Sequence, residues 1–194
     1  MSSNINGQHL ITNGRQEENK TDKYLTFKLA SEEYGLEILK VQEIIGLMAI
    51  TTIPRTPEFV RGVINLRGNV IPVIDLRLKF GMESKDDAVE TCIILVQIEK
   101  NGHHITMGII VDYVSEVIAI SSDKIEPPPD FGTNIDTDFI MGMGEIDKKV
   151  VILLEVDKVL SDKETDFIGN VSHEGNEATQ SKKSKYDMGN DKAT

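Results

Sequence analysis

The sequence predicts an all-β protein built from two small barrels. Three observations predict it. The apolar runs are short and rich in Ile, Val and Leu. Turn signals separate them, as "EKNG" does at 99–102. The two halves of the chain also repeat one another. Branched side chains favour strands, and many short strands at regular spacing favour closed or packed sheets, which leave few open edges.

Taken in order, residues 1–22 are polar and without periodicity, and are expected to be a disordered tail. The folded part is expected at about 23–160. Strands are expected at Tyr24–Leu29, Ile44–Ile53, Val70–Ile74, Thr91–Ile98, Ile105–Val111, Val114–Ile120 and Val150–Leu154. "KVQEII", 40–45, also reads as a helical turn. Asn101-Gly102 between two apolar runs is a hairpin signal. One helix is expected at Glu155–Ser161, with Val156, Val159 and Leu160 on one face. Residues 161–194 are mostly polar and are expected to be a second disordered tail.

The repeat fixes the module count. Gly35 and Ile38, followed by Val41, Glu43 and Ile44, match Gly108 and Val111, followed by Val114, Glu116 and Val117. Phe59 to Val63 matches Phe139 to Met143, and Asp75 falls opposite Glu155. The charged stretch Glu83–Glu90 is the expected boundary, giving one module at about 23–85 and another at about 86–160, with strand exchange between them allowed. The repeat also acts as a control. Residues present in both halves, such as Gly62 and Gly142, are explained by folding alone. Arg67 and Gly68 are matched by Asp147 and Lys148, so module folding does not require Arg67.

Composition narrows the function. The net charge of −11 opposes binding to nucleic-acid phosphates. No apolar run is long enough for a membrane helix, and the N-terminus does not read as a secretory signal. The single cysteine, Cys92, fits a reducing, cytoplasmic setting. It lies in an apolar run and reads as a small buried hydrophobe rather than a nucleophile. His103 and His104 are adjacent on a strand and point to opposite faces, while His9 and His173 fall in the expected tails. Neither zinc-ligand spacing nor a phosphate loop is found, so no metal, no cofactor and no enzymatic activity are expected. The segment "IEPPPDFGTN", 125–134, reads as a stiff connector.

The motifs "EEYGLEILKVQEII", "GVINLRGNVIPVIDLRLKFG", "GIIVDYVSEV" and "FIMGMG…VVILLEVDKVL", in that order, resemble the bacterial chemotaxis coupling family CheW. The resemblance runs from about Tyr24 to Leu160. It implies two five-stranded, SH3-like barrels around a shared hydrophobic core and a non-enzymatic adaptor role. The implied partners are the cytoplasmic tip of a transmembrane chemoreceptor, the regulatory domain of the histidine kinase CheA, and further copies of the family within a signalling array. The family's Asn-Leu-Arg-Gly motif falls on Asn65, Leu66, Arg67 and Gly68, and the glutamate that pairs with its arginine falls on Glu43. Val41, Gly62, Gly108, Val114 and Gly142 match positions implicated in family partner binding. The expectation is a paired charge at a groove where a receptor helix docks. Two other readings remain: a related adaptor in another receptor–kinase pathway such as twitching motility, and a small-molecule-binding double barrel. The length remaining after Leu160 excludes a fused phosphoreceiver domain.

Overall fold

Eleven strands and one short helix follow one another along a computed structural model that describes residues 20–100, 102–129, 137–146, 148–166 and 168. The first half contributes β1 (Thr21–Leu29), β2 (Glu32–Glu37), β3 (Val41–Gly46), β4 (Val60–Leu66), β5 (Asn69–Asp75) and α1 (Leu76–Lys79). The second contributes β6 (Cys92–Lys100), β7 (His103–Val111), β8 (Tyr113–Ser121), β9 (Ile125–Glu126), β10 (Ile140–Ile146) and β11 (Lys149–Leu154). They form a six-stranded sheet, β8-β1-β2-β11-β10-β9, and a five-stranded sheet, β3-β6-β7-β5-β4.

Apart from β9, these two orders are the same once the repeat is applied. β1–β2 corresponds to β6–β7, β3 to β8, and β4–β5 to β10–β11. Each barrel therefore takes its leading hairpin from one half of the chain and its remaining strands from the other. The junctions keep the match in detail. β5 runs parallel to β7 with Val73 opposite Gly108, and β11 runs parallel to β2 with Leu153 opposite Gly35. The stretch Glu83–Glu90, expected to divide the modules with strand exchange allowed, connects β5 to β6. It separates the repeats in sequence, but it lies inside one sheet, between β5 and β6, because the hairpins are exchanged.

Three apolar clusters follow from this layout. Ile64, Ile71, Val73, Ile93, Leu95 and Ile110 fill the five-stranded barrel. Tyr24, Ile120, Val151 and Leu153 fill the other. The largest cluster joins both sheets, with Phe27 and Leu36 meeting Ile74, Val96 and Ile109. A ladder of rings crosses it, Phe27 to Tyr34, Tyr34 to Phe80 and Phe80 to Phe139, with centroids 4.8–5.9 Å apart.

Several local expectations change. The strand expected over Ile44–Ile53 is β3 at Val41–Gly46, preceded by a 3-10 turn at Ile38–Lys40. Beyond it only Thr51 makes a bridge, to Val63. The helix expected at Glu155–Ser161 is a 3-10 turn at Val156–Lys158 followed by a helical turn at 162–166. Packing also runs past Leu160, since Thr165 and Ile168 are buried and Ile168 belongs to the shared core. A reciprocal cap starts that turn. The Ser161 backbone N–H and hydroxyl donate to Glu164 Oε2, while the Glu164 N–H donates back to Ser161 Oγ. At the other end, β1 begins at Thr21, inside the expected N-terminal tail. The remainder of both expected tails, Asn101, Asp147 and 130–136, which include the end of the proline-rich connector, lie outside the described residues.

Candidate functional site

The arginine that stands among apolar residues in the sequence does not stand in a strand. Leu66 pairs with Asn69, so Arg67 and Gly68 are the two residues of the β4–β5 hairpin tip. Both have positive φ, 55° and 90°, as a tight hairpin turn with the right twist demands. Asn65 supports the turn by accepting from the Gly68 N–H at 3.0 Å. In the β10–β11 hairpin Lys148, in the place of Gly68, also has positive φ, 66°.

The tip reaches across the barrel seam. β3 and β4 are the two open edges of the five-stranded sheet. The Arg67 guanidinium donates from Nη1 to Glu43 Oε2 at 3.1 Å and from Nη2 to Glu43 Oε1 at 2.8 Å. Glu43 lies on β3, so this two-pronged pair bridges the edges. The Thr51–Val63 bridge closes the same seam lower down, through backbone bonds of 2.8 and 2.9 Å. The arginine side chain is 73% exposed and the glutamate 34%. A pair so open to water contributes only about 0–1 kcal/mol to stability. Its value lies in orientation, because a planar fork holds a carboxylate in one geometry.

The other sequence-derived residues divide into two groups. Val41 and Val114, equivalent in the repeat, are half-buried and pack on the shared core between the barrels. Gly62, Gly108 and Gly142 are buried and explained by close approaches. A Cβ on Gly62 would stand 2.1 Å from the Thr51 carbonyl oxygen, and φ there is 136°. On Gly108 it would meet Ile93 Cγ2 at 2.7 Å, and on Gly142 it would meet Ile125 Cγ2 at 2.5 Å. The ladders of β4 and β10 shift register at these equivalent points, Gly62 and Gly142. Glu43, Asn65, Arg67 and Gly68 are therefore brought together at one barrel end. Val41 adjoins them on β3, and the three glycines lie inside the fold.

Sequence reading missed the apolar residues that β3 and its approach expose. Leu39 is 92% exposed and Ile44 44%, and Val117, the repeat equivalent of Ile44, is 49% exposed. A period-two reading of β3 could have found Ile44, since it falls on the outward face with Gln42. It also missed the ionic ties behind the site. Asp75 is buried, caps α1 by accepting from the Arg77 and Leu78 N–H groups, and receives Arg61 at 3.1 Å. Arg77 pairs with Asp112 at 2.7 Å, joining the end of β5 to the β7–β8 junction.

Cys92 is not prepared as a nucleophile. Burial pushes the Cys92 thiol up, only partly offset by a backbone bond from Val114, the opposite of what a nucleophilic thiol needs. Among the described residues no cluster of three His, Cys, Asp or Glu could hold a metal ion. None of the helices there is long and apolar enough to cross a membrane.

The chain is similar to known proteins in sequence and fold. A family described as "CheW-like domain" matches residues 23–164. Chemotaxis protein CheW of Klebsiella aerogenes is 38% identical over 150 residues, covering 77% of this chain and 88% of its own. The probable chemotaxis protein CheW of Rhizobium etli is 32% identical over 149 residues, covering 76% and 94%. Among solved structures, the scaffolding protein TtCheW of Thermoanaerobacter tengcongensis is 42% identical, covering 75% of this chain and 96% of its own, with a TM-score of 0.66.

Proposed function

The chain belongs to the CheW-like family, and from that premise we propose that it is a non-catalytic chemotaxis scaffold joining chemoreceptors to a histidine kinase. The observation that carries this reading is the extent of the family match, 23–164, which spans almost the whole packed region rather than one motif. The partners are a receptor's cytoplasmic tip and the regulatory domain of CheA, with further family copies in the same array. The chain works in the cytoplasm and is recruited to receptors in the membrane.

The receptor-facing surface is assigned to β3 and the β4–β5 tip. A receptor helix offers an apolar stripe with polar flanks, and helix-in-groove binding needs apolar anchors beside a fixed polar group. Ile44 and Leu39 supply exposed apolar surface, Val41 lies beside them at the barrel junction, and Arg67 with Glu43 supplies the fixed polar group. Gly62, Gly108 and Gly142 act on partner binding through the shape of the barrels. The test is a reconstitution of receptor, kinase and this chain. Arg67→Ala and Ile44→Lys are expected to fold yet lose most receptor control of the kinase. Folded variants with unchanged coupling would refute the surface. A wild-type chain that retained neither receptor nor kinase in a pull-down from source cells would refute the scaffold reading itself.

A further inference from the structure

The exchanged hairpins make the two sequence halves interlock. Cut between Glu83 and Glu90, the chain gives β1–β5 with α1 on one side and β6–β11 on the other. Within each half the strands form only local hairpins, with β9 added to β10. Every junction that turns hairpins into sheets, β8–β1, β2–β11, β3–β6 and β7–β5, joins one half to the other. The shared core likewise draws Phe27 and Leu36 from the first half and Val96, Ile109 and Leu154 from the second. The connection itself is exposed from Glu83 to Glu90. Its ties are few: Arg61 to Asp87, a backbone–hydroxyl exchange between Ala88 and Thr91, and the Glu83 carbonyl to Arg77.

We propose that residues 83–90 are a hinge through which a second copy of this chain can supply either half, producing a dimer with exchanged halves. In that dimer each double barrel pairs the first half of one copy with the second half of the other. All inter-strand contacts are those of the monomer, and only the hinge changes course. Exchange of this kind is a low-cost route to dimers, and shortening a hinge favours it because the chain can no longer fold back on itself.

Paired cysteines read the exchange directly. Lys23 on β1 and Ala119 on β8 are exposed register partners across a junction between the halves. In a Cys92→Ala background, Lys23→Cys with Ala119→Cys closes a disulfide within one chain in the monomer, and between two chains in the exchanged dimer. The protein is unfolded under reducing conditions, refolded over a range of concentrations, and then oxidised. The expected result is a covalent dimer on denaturing gels whose fraction rises with refolding concentration, and which dominates when 84–87 are deleted. Covalent monomers at every concentration and at both hinge lengths would overturn the proposal. So would a dimer in native chromatography that runs as disulfide-closed monomers when denatured, since that is face-to-face association. If the shortened chain does not fold, a second measurement decides. The full-length protein with a protease site inserted between Asp86 and Asp87 is expected to remain one folded species after cleavage, separating only in denaturant. Halves that part under native conditions would show that they are not interlocked, and would overturn the proposal.

Discussion

Gly62→Ala separates a residue that contacts a partner from one that shapes the fold. The new Cβ would stand 2.1 Å from the Thr51 carbonyl oxygen and 3.0 Å from Thr52 Cα, both backbone atoms that no rotamer change can move. A non-glycine residue at φ 136° adds strain on the order of 1–3 kcal/mol. Relieving the clash breaks the Thr51–Val63 bridge, whose two hydrogen bonds, 2.8 and 2.9 Å, contribute about 0.5–1.5 kcal/mol each. The loss is therefore about 2–6 kcal/mol, a large part of the roughly 5–15 kcal/mol typical of a native domain. Gly142→Ala is the internal control. Its φ is not in the left-handed region, and a Cβ there would meet Ile125 Cγ2 at 2.5 Å and the Glu126 carbonyl oxygen at 2.9 Å, a milder backbone approach than at Gly62. Overpacking of that kind costs about 1–3 kcal/mol. Urea unfolding followed by circular dichroism should rank the two variants in this order. A Gly62→Ala protein as stable as wild type would refute the close-approach argument. If that stable protein also failed to couple receptor to kinase, Gly62 would be a contact residue after all.

Three further outcomes are expected. Arg67→Ala removes an exposed pair worth about 0–1 kcal/mol, so its melting temperature should fall by no more than about 2–4 °C; a drop above about 10 °C in calorimetry would make the seam pair structural. Ile168→Ala should cost about 2–5 kcal/mol by urea titration, because the side chain is buried in the shared core, and a loss below about 1 kcal/mol would contradict that placement. Burial alone would push the Glu164 carboxyl up, but the Lys79 ammonium and the Ser161 N–H and hydroxyl outweigh it and hold it below its ordinary value. Its contribution is then complete above the unfolded carboxylate pKa of about 4.3 and is lost as pH falls through the lower folded value. The stability gap between wild type and Glu164→Gln should narrow over that acidic range, and a gap that widened on acidification would reverse the assignment.

Legibility in the sequence followed local chemistry. β1, β5, β6, β7, β8 and β11 are runs of branched residues, and each was readable. β2, β4 and β10 were not, because Gly35, Gly62, Gly142 and Gly144 interrupt them. Glycine lowers strand propensity, yet here it admits a bulge or a neighbouring side chain. Leu47 and Ile50 extended the apparent third strand; they are partly buried against the five-stranded barrel's interior from irregular backbone. The cap "SDKE", 161–164, was present in the sequence but hidden by the polar residues C-terminal to it. For the candidate site, the pairing of Arg67 with Glu43 was expected and is present, but its position was not legible. Arg67 sits at a hairpin tip, open to water and at positive φ, a conformation that arginine seldom adopts. No composition or period argument reveals that.

The parallel pairing of β2 with β11 has a consequence for how the protein is made. The first hairpin leaves the ribosome with Leu25 and Phe27 ready for burial, but its neighbours β8 and β11 follow much later, β11 as the last strand of the fold. Until Leu154 has emerged, that hairpin has its core partners Ile74, Val96 and Ile109 but lacks the strand that completes its sheet. At roughly 5–20 residues per second, the wait lasts many seconds. Contacts so distant in sequence also fold slowly once available. The β2 edge therefore stays unpaired until β11 is made, an open template for pairing with another chain during synthesis.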